Sequence, residues 1–279
     1  MTGVTVAFVL TRGVSADADA EIKPAEPDSG NADEGMSKAM TPVVSADPVR
    51  FTDLLWDASA HIRHAIDDLK FLRLLGAGTL PLDAFRRYLE QDSLYLSGYV
   101  KSLSLLAAHA PNPLAGAFWA SAAASAMDEA SSHEAMLNGG SLPSSTSTPE
   151  ASPECLGYTS YLIATAATEP YAVAAAAVLP CFWIYAEVGR SLAAAAKTVL
   201  DRDPEHPYAQ WVAAYDAPEF HAIVDAAKTF VDDAAAAATL DQRKQMIDAF
   251  VVASRYELMF WDSALHPTAW PLAESAVYA

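Results

Sequence analysis

The stretch FRRYLEQDSLYLSGYVKSLSLL, residues 85–106, decides the fold. Its apolar side chains fall at Phe85, Leu89, Tyr95 or Leu96, Tyr99, Leu103 and Leu106, steps of three and four that gather on one helix face. The same period recurs on both sides. Residues 51, 54, 55, 58, 62, 65, 66 and 69 line one face of an expected first helix running to about residue 75. Gly76-Ala-Gly78 stops it, and Thr79 with Pro81 opens the next helix, over roughly 82–108. Further helices are expected over about 114–137, 158–167, 171–200, 208–214, 219–237 and 240–265. No stretch alternates with period two between hairpin turns, so strands are not expected. The fold class is all-α.

Two segments stand outside this pattern. Residues 13–46 are rich in Gly, Ala, Ser, Asp, Glu and Pro and lack aromatics, so 1–46 reads as a polar, disordered tail. A single folded domain is then expected over 47–279. Residues 139–154 have loop composition and read as a surface insertion between helices, with Cys155 just beyond it.

Composition excludes several functions. Lys and Arg number 17 against 35 Asp and Glu, a net charge of −18, which is unsuited to neutralising a phosphate backbone. No nucleic-acid partner is expected. The longest uncharged run, Pro170 to Ala186, is shorter than a spanning helix needs and contains Pro180, so a buried helix explains it better than a membrane. Val4 to Leu10 is apolar but has no basic residue before it and acidic residues soon after, which fits neither a secretory signal nor a transit peptide. Two cysteines make no disulfide framework, and a reducing, cytoplasmic setting follows.

Polar residues inside apolar stripes point to chemistry. Asp92 lies between Leu89 and Tyr95 on the face of the second helix, where a carboxylate is costly unless it is paired or functional. Its structural alternative is a place at the rim of a tilted stripe. Glu257 repeats the anomaly among Phe250, Ala253, Phe260 and Trp261. Such surroundings raise a carboxyl pKa and suit a general acid, the alternative being a core pair with Arg190 or Arg255. Cys181 sits directly after Pro180, which marks a kink or helix start, and Tyr185 follows one turn later. A buried inert thiol is the commoner outcome for such a cysteine. Glu129 and His133, four residues apart, read as a hydrogen-bonded pair; the Glu-x-x-His set of a di-iron bundle is missing, so no metal is expected. Phosphate loops and the HExxH and GxSxG motifs are absent, and no cofactor is expected.

Taken in order, these segments resemble the TenA family, the thiaminase II or aminopyrimidine aminohydrolase group. The resemblance rests on Gly78-Thr-Leu-Pro81, Phe85, Tyr88-Leu-Glu-Gln-Asp-Ser-Leu-Tyr-Leu96, Glu129 with His133, and Tyr158-Thr-Ser160. It continues through Leu179-Pro-Cys-Phe-Trp-Ile-Tyr-Ala-Glu-Val-Gly189, His206-Pro207, Trp211 with Tyr215, and Tyr256-Glu-Leu-Met-Phe-Trp261. The Gln-Asp and Leu-Pro-Cys-x-Trp-x-Tyr pieces are the most specific. The resemblance implies a heme-oxygenase-like helical bundle, often a homotetramer, with a pocket for a 4-amino-2-methylpyrimidine or thiamin. It further implies that Cys181 adds to the pyrimidine ring, that the 5-methylene substituent leaves, and that water yields hydroxymethylpyrimidine. By the same resemblance Asp92 binds the ring's amino edge and assists the thiol. Glu257 protonates a ring nitrogen or manages the leaving group, and Tyr95, Tyr158, Tyr185 and Tyr215 line the ring. Leu69-Lys70 stand where the family commonly has His-Pro, and Leu94 replaces a common aromatic. Two other readings remain open: a non-catalytic pyrimidine-binding protein, and a heme-handling relative using His61 or His64 as an axial ligand.

Overall fold

The computed structural model describes residues 49–144 and 148–271. The expected tail, 1–46, lies outside the described residues. Ten helices are formed among the described residues, with no strand: α1 Phe51–Ala58, α2 Ala60–Asp67, α3 Lys70–Gly76, α4 Leu82–Ala108, α5 Pro113–Asn138, α6 Pro153–Thr168, α7 Tyr171–Arg202, α8 Ala209–Tyr215, α9 Pro218–Ala237 and α10 Leu240–Ser263.

Several helix starts are written in the sequence. Asn112 and Ser152 accept hydrogen bonds from the backbone N–H of Ala115 and Cys155, each with Pro at the first helical position. Thr239 and Gln242 form a reciprocal capping box at α10. The expected single helix over 51–75 is a correction: it is three short helices. Ser59 Oγ donates to the Trp56 carbonyl at 3.0 Å, and Arg63 reaches the same carbonyl, so side chains compete for it where α1 ends. Leu69 is extended before α3. Gly78 then turns the chain with φ 68°, and a side chain there would also strike Val199, 2.7 Å from its Cβ position.

Helix α7 is the centre of the bundle, packing on α10, α9, α8, α6, α3 and α4, while α5 and α6 flank α4. Its run Ala174-Ala-Ala-Ala177 is buried throughout, and such small side chains let neighbouring helices approach closely. By length and composition α7 could cross a membrane, yet 89% of its apolar window is buried inside the bundle. The helix runs through Pro180 without ending, so the helix start considered beside Cys181 is not found; the proline leaves the Ala176 carbonyl without its usual N–H donor. The segment expected as an insertion over 139–154 ends earlier, since α6 already begins at Pro153. Cys155 therefore lies in a helical first turn, buried, with Sγ 3.5 Å from the Gln91 carbonyl.

Candidate active site

Helical spacing brings the polar anomalies to one cavity. Along α4, Asp92, Tyr95 and Tyr99 share a face; along α7, Cys181 and Tyr185 stand one turn apart. These meet Glu129 of α5, Tyr215 of α8, and Phe220 and Ile223 of α9 around about 490 Å³ of atom-free space. The Tyr185 and Tyr215 rings lie 5.2 Å apart on one side, and Tyr95 lies 5.4 Å from Tyr99 on the other. Gly189 lets α8 come close: a Cβ there would stand 2.6 Å from the Tyr215 carbonyl oxygen. Cys181 is partly accessible, whereas Asp92 is 2% exposed and Glu257 is 1% exposed.

The buried carboxyls are partnered by hydroxyls rather than by cations. Tyr158 Oη donates to Glu257 Oε1 at 2.6 Å, and Tyr215 Oη donates to Glu129 Oε1. The Tyr88 hydroxyl is 3.3 Å from both Asp92 Oδ2 and the Tyr185 hydroxyl. His133 Nδ1 lies 3.2 Å from Asp92 Oδ2. Burial raises the Glu257 pKa to about 8 and that of Glu129 to about 7, each against the opposing pull of its tyrosine hydrogen bond. Burial also lifts Asp92 well above the usual carboxylate range, helped by the charges of Glu129 and Glu257. His133 is driven down to about 4 by desolvation and is a neutral imidazole near pH 7. The Cys181 thiol is pushed up by burial and then by Glu257, while the Tyr95 hydroxyl favours the thiolate. These shifts all favour the protonated forms of the carboxyls and of the thiol.

Donor atoms of Asp92, Glu129 and His133 lie within 4.8 Å of one another, close enough to share a small cation. Both carboxyl pKa values are raised, so protonation also lessens the charge of this cluster.

The model of the TENA/THI-4/PQQC family matches residues 53–266. The chain belongs to that family. It is 35% identical over 263 residues to the thiamine biosynthesis multifunctional protein ThiED of Corynebacterium efficiens, an overlap covering 92% of this chain and 34% of that protein. It thus spans about a third of the length of that relative. It is 33% identical over 212 residues to the aminopyrimidine aminohydrolase of Bacillus subtilis, covering 74% of this chain and 85% of that one. Among solved structures, the TenA homologue protein from P. horikoshii OT3 superposes with a TM-score of 0.67 at 28% identity, over 78% of this chain and 99% of the homologue. The fold of this family member is the heme-oxygenase-like helical bundle that the sequence motifs imply.

The site of this TENA/THI-4/PQQC protein brings together most, not all, of the residues singled out from sequence. Asp92, Tyr95, Cys181, Tyr185 and Tyr215 line the cavity. Tyr158 and Glu257 are outside that lining, and the Tyr158 ring packs 4.9 Å from that of Tyr95. Asp92 is in the core and not at a rim. Glu257 meets neither arginine, since Arg190 is exposed and pairs with Glu187, and Arg255 is exposed. The expected Glu129–His133 pair is also corrected: Glu129 turns to Tyr215, and His133 to Asp92. His61 and His64 are exposed on α2 and absent from the cavity lining, which removes the support for an axial heme ligand. Tyr88 and Tyr99 were missed; each lies four residues from a predicted site residue, and that spacing was the available signal. Gln91 has a separate task. Its amide donates to the Glu150 carbonyl at 2.9 Å and accepts from Ser152 N–H at 2.8 Å, tying the inserted segment to the helix that carries Asp92.

Proposed function

We propose that the cavity hydrolyses a 4-amino-2-methylpyrimidine bearing a leaving group on its 5-methylene, with 4-amino-5-aminomethyl-2-methylpyrimidine and thiamin as candidate substrates and hydroxymethylpyrimidine as product. The observation that carries this reading is a thiol on the wall of an aromatic-lined cavity, with Asp92 and the half-buried Glu129 on the same lining and the buried Glu257 behind it, all three with raised pKa values. A neutral carboxylic acid can give a proton to an electron-poor ring, and a thiol can attack that ring once it is deprotonated. Similarity to an aminopyrimidine aminohydrolase at 33% identity supports the same direction.

In the proposed sequence, Asp92 accepts a hydrogen bond from the ring's amino group and assists removal of the thiol proton. Cys181 Sγ then adds to the ring carbon next to the substituted one, while Glu257, in its acid form, delivers a proton to a ring nitrogen. The electrons of the dearomatised ring then move to expel the substituent, which departs with its bonding electrons and takes up a proton, leaving an exocyclic methylene. Water adds to the exocyclic methylene, and the thiolate leaves as the ring is restored. The sum is substrate plus water giving hydroxymethylpyrimidine plus the protonated leaving group, with no oxidant required. Tyr95, Tyr185 and Tyr215 would hold the ring flat, and Tyr158 would orient Glu257 from behind. On this reading the chain would fall in a cysteine-bearing branch of the family.

The test is ammonia release from the aminomethylpyrimidine, with thiamin in parallel and Cys181→Ala as control. Turnover by the native protein that the substitution abolishes is the expected result. Binding of the pyrimidine without any turnover would replace this reading with a non-catalytic binding protein on the same fold.

A further inference from the structure

Asp92, Glu129 and His133 form a cluster that the pyrimidine chemistry uses only in part. Glu129 and His133 stand one turn apart on α5, and the packing of α4 on α5 brings Asp92 against them, with donor atoms within 4.8 Å of one another. Spacing along the chain shows two of the three; the third comes from another helix. His133 is 2% exposed, and its Nδ1 makes no hydrogen bond although Asp92 Oδ2 is 3.2 Å away. A buried ring nitrogen without a hydrogen-bond partner is costly. The same 3.2 Å separation fits a shared ion, because zinc bonds of about 2.0–2.1 Å at tetrahedral angles set two ligand atoms about 3.3 Å apart. Both carboxyls are also held from outside the cluster, as metal-ligating carboxylates commonly are: Tyr88 Oη is beside Asp92 Oδ2, and Tyr215 Oη donates to Glu129 Oε1.

The cluster can be reached from two sides. A second chamber shares Ser125, Glu129, Tyr215 and Phe220 with the Cys181 cavity, so the Tyr215–Glu129 hydrogen bond belongs to the partition between them. His133 and the exposed Asp128 line that second chamber. No lysine or arginine lines either one, so no side-chain cation is at hand to balance the carboxylates. The surrounding negative charge favours the approach of a positive ion.

We propose that Asp92, Glu129 and His133 bind a divalent ion of the zinc class, with water as the fourth ligand, and that this ion and a pyrimidine exclude each other. The metal site stands on the geometry of the cluster. The exclusion rests on the pyrimidine reading above, in which Asp92 binds the amino edge of the ring. One imidazole with two carboxylates suits zinc and disfavours magnesium, which takes oxygen ligands and keeps its waters. A bound ion takes the Asp92 carboxylate away from the substrate, so free zinc sets the fraction of chains open to turnover.

The test titrates the full chain, stripped with EDTA and dialysed, with zinc chloride by calorimetry, and repeats the titration in His133→Gln and Glu129→Gln. One zinc ion should bind at this site, and each substitution should weaken it by about tenfold or more. Cobalt(II) chloride reports the ligands without any change to the cluster. The visible bands of a four-coordinate ion are expected, with no strong thiolate charge-transfer band and no change in Cys181→Ala. Zinc held equally well by both variants, or a thiolate band that Cys181→Ala removes, overturns the site. Zinc at about tenfold above its own dissociation constant should weaken hydroxymethylpyrimidine by about tenfold. Both ligands binding together without interference overturns the proposal. Failure of hydroxymethylpyrimidine to bind the metal-free chain overturns the pyrimidine reading instead, and the zinc titrations of the two variants still decide the metal site.

Discussion

The cavity has two carboxyl–tyrosine pairs built from the same parts in different surroundings. Glu257 with Tyr158 joins α10 to α6 behind the thiol, sealed from solvent. Glu129 with Tyr215 joins α5 to α8 at the partition between two chambers, and Glu129 is only half-buried. Burial raises both acids, to about 8 for the sealed pair and about 7 for the partition pair. The sealed acid has its proton at neutral pH; the partition acid is near half-titrated there. One constellation can thus hold a proton donor and a divider, and the packing around each pair decides which it is.

The largest expected contrast is kinetic. Glu257→Gln keeps an acceptor for the Tyr158 hydroxyl but removes the acid, so kcat should fall by about 10²–10⁴, the usual range for losing a general acid. Glu129→Gln keeps the acceptor for Tyr215 and should cost less than about tenfold. Steady-state rates on the aminomethylpyrimidine check both. Equal losses would break the distinction between the pairs.

This contrast was only half legible in the sequence. The spacing of Phe85, Leu89, Tyr99 and Leu103 fixes α4 because a long amphipathic helix repeats its signal over many turns. The region from Phe51 to Leu75 offers the same period, yet the breaks at Ser59 and Leu69 are local side-chain-to-backbone competitions that periodicity does not register. Asp92 and Glu257 betray themselves by standing on apolar faces. Glu129 gives no such sign, since α5 is rich in alanine and has little apolar contrast between its faces. Its partner was legible only in space: Tyr215 lies 86 residues away on another helix. The layering of Tyr158 behind Tyr95 is likewise a matter of how α6 packs on α4.

A second, smaller effect separates the pairs by pH. If Glu257 is the acid, kcat/KM falls as pH rises through about 8, where its proton is lost. Tyr158 donates to the carboxylate and so lowers that pKa; Tyr158→Phe should move the alkaline limb upward. Tyr215→Phe raises Glu129 in the same sense, yet it should leave the alkaline limb in place. A limb that follows Tyr215 instead would transfer the acid role to the partition pair.

The smallest effect is on stability, and it sharpens the comparison without substrate. Each glutamate has a folded pKa raised above its unfolded value of about 4.3, so the folded chain keeps a proton that the unfolded chain has released. That contribution is fully present below about pH 4.3 and is lost as pH climbs to about 7 for Glu129 and about 8 for Glu257. His133 runs the other way. Lowered to about 4, it contributes stability above about pH 6.5 that disappears as pH falls, offsetting one of the two carboxyls over the interval between those values. Between about pH 7 and 8 Glu257 loses more of its proton than Glu129, which is already partly ionised at pH 7. The loss of thermal stability across that interval should therefore be reduced more in Glu257→Gln than in Glu129→Gln. The reverse pattern would mean that the sealed pair holds no proton to give, and the general acid would have to be sought at the partition.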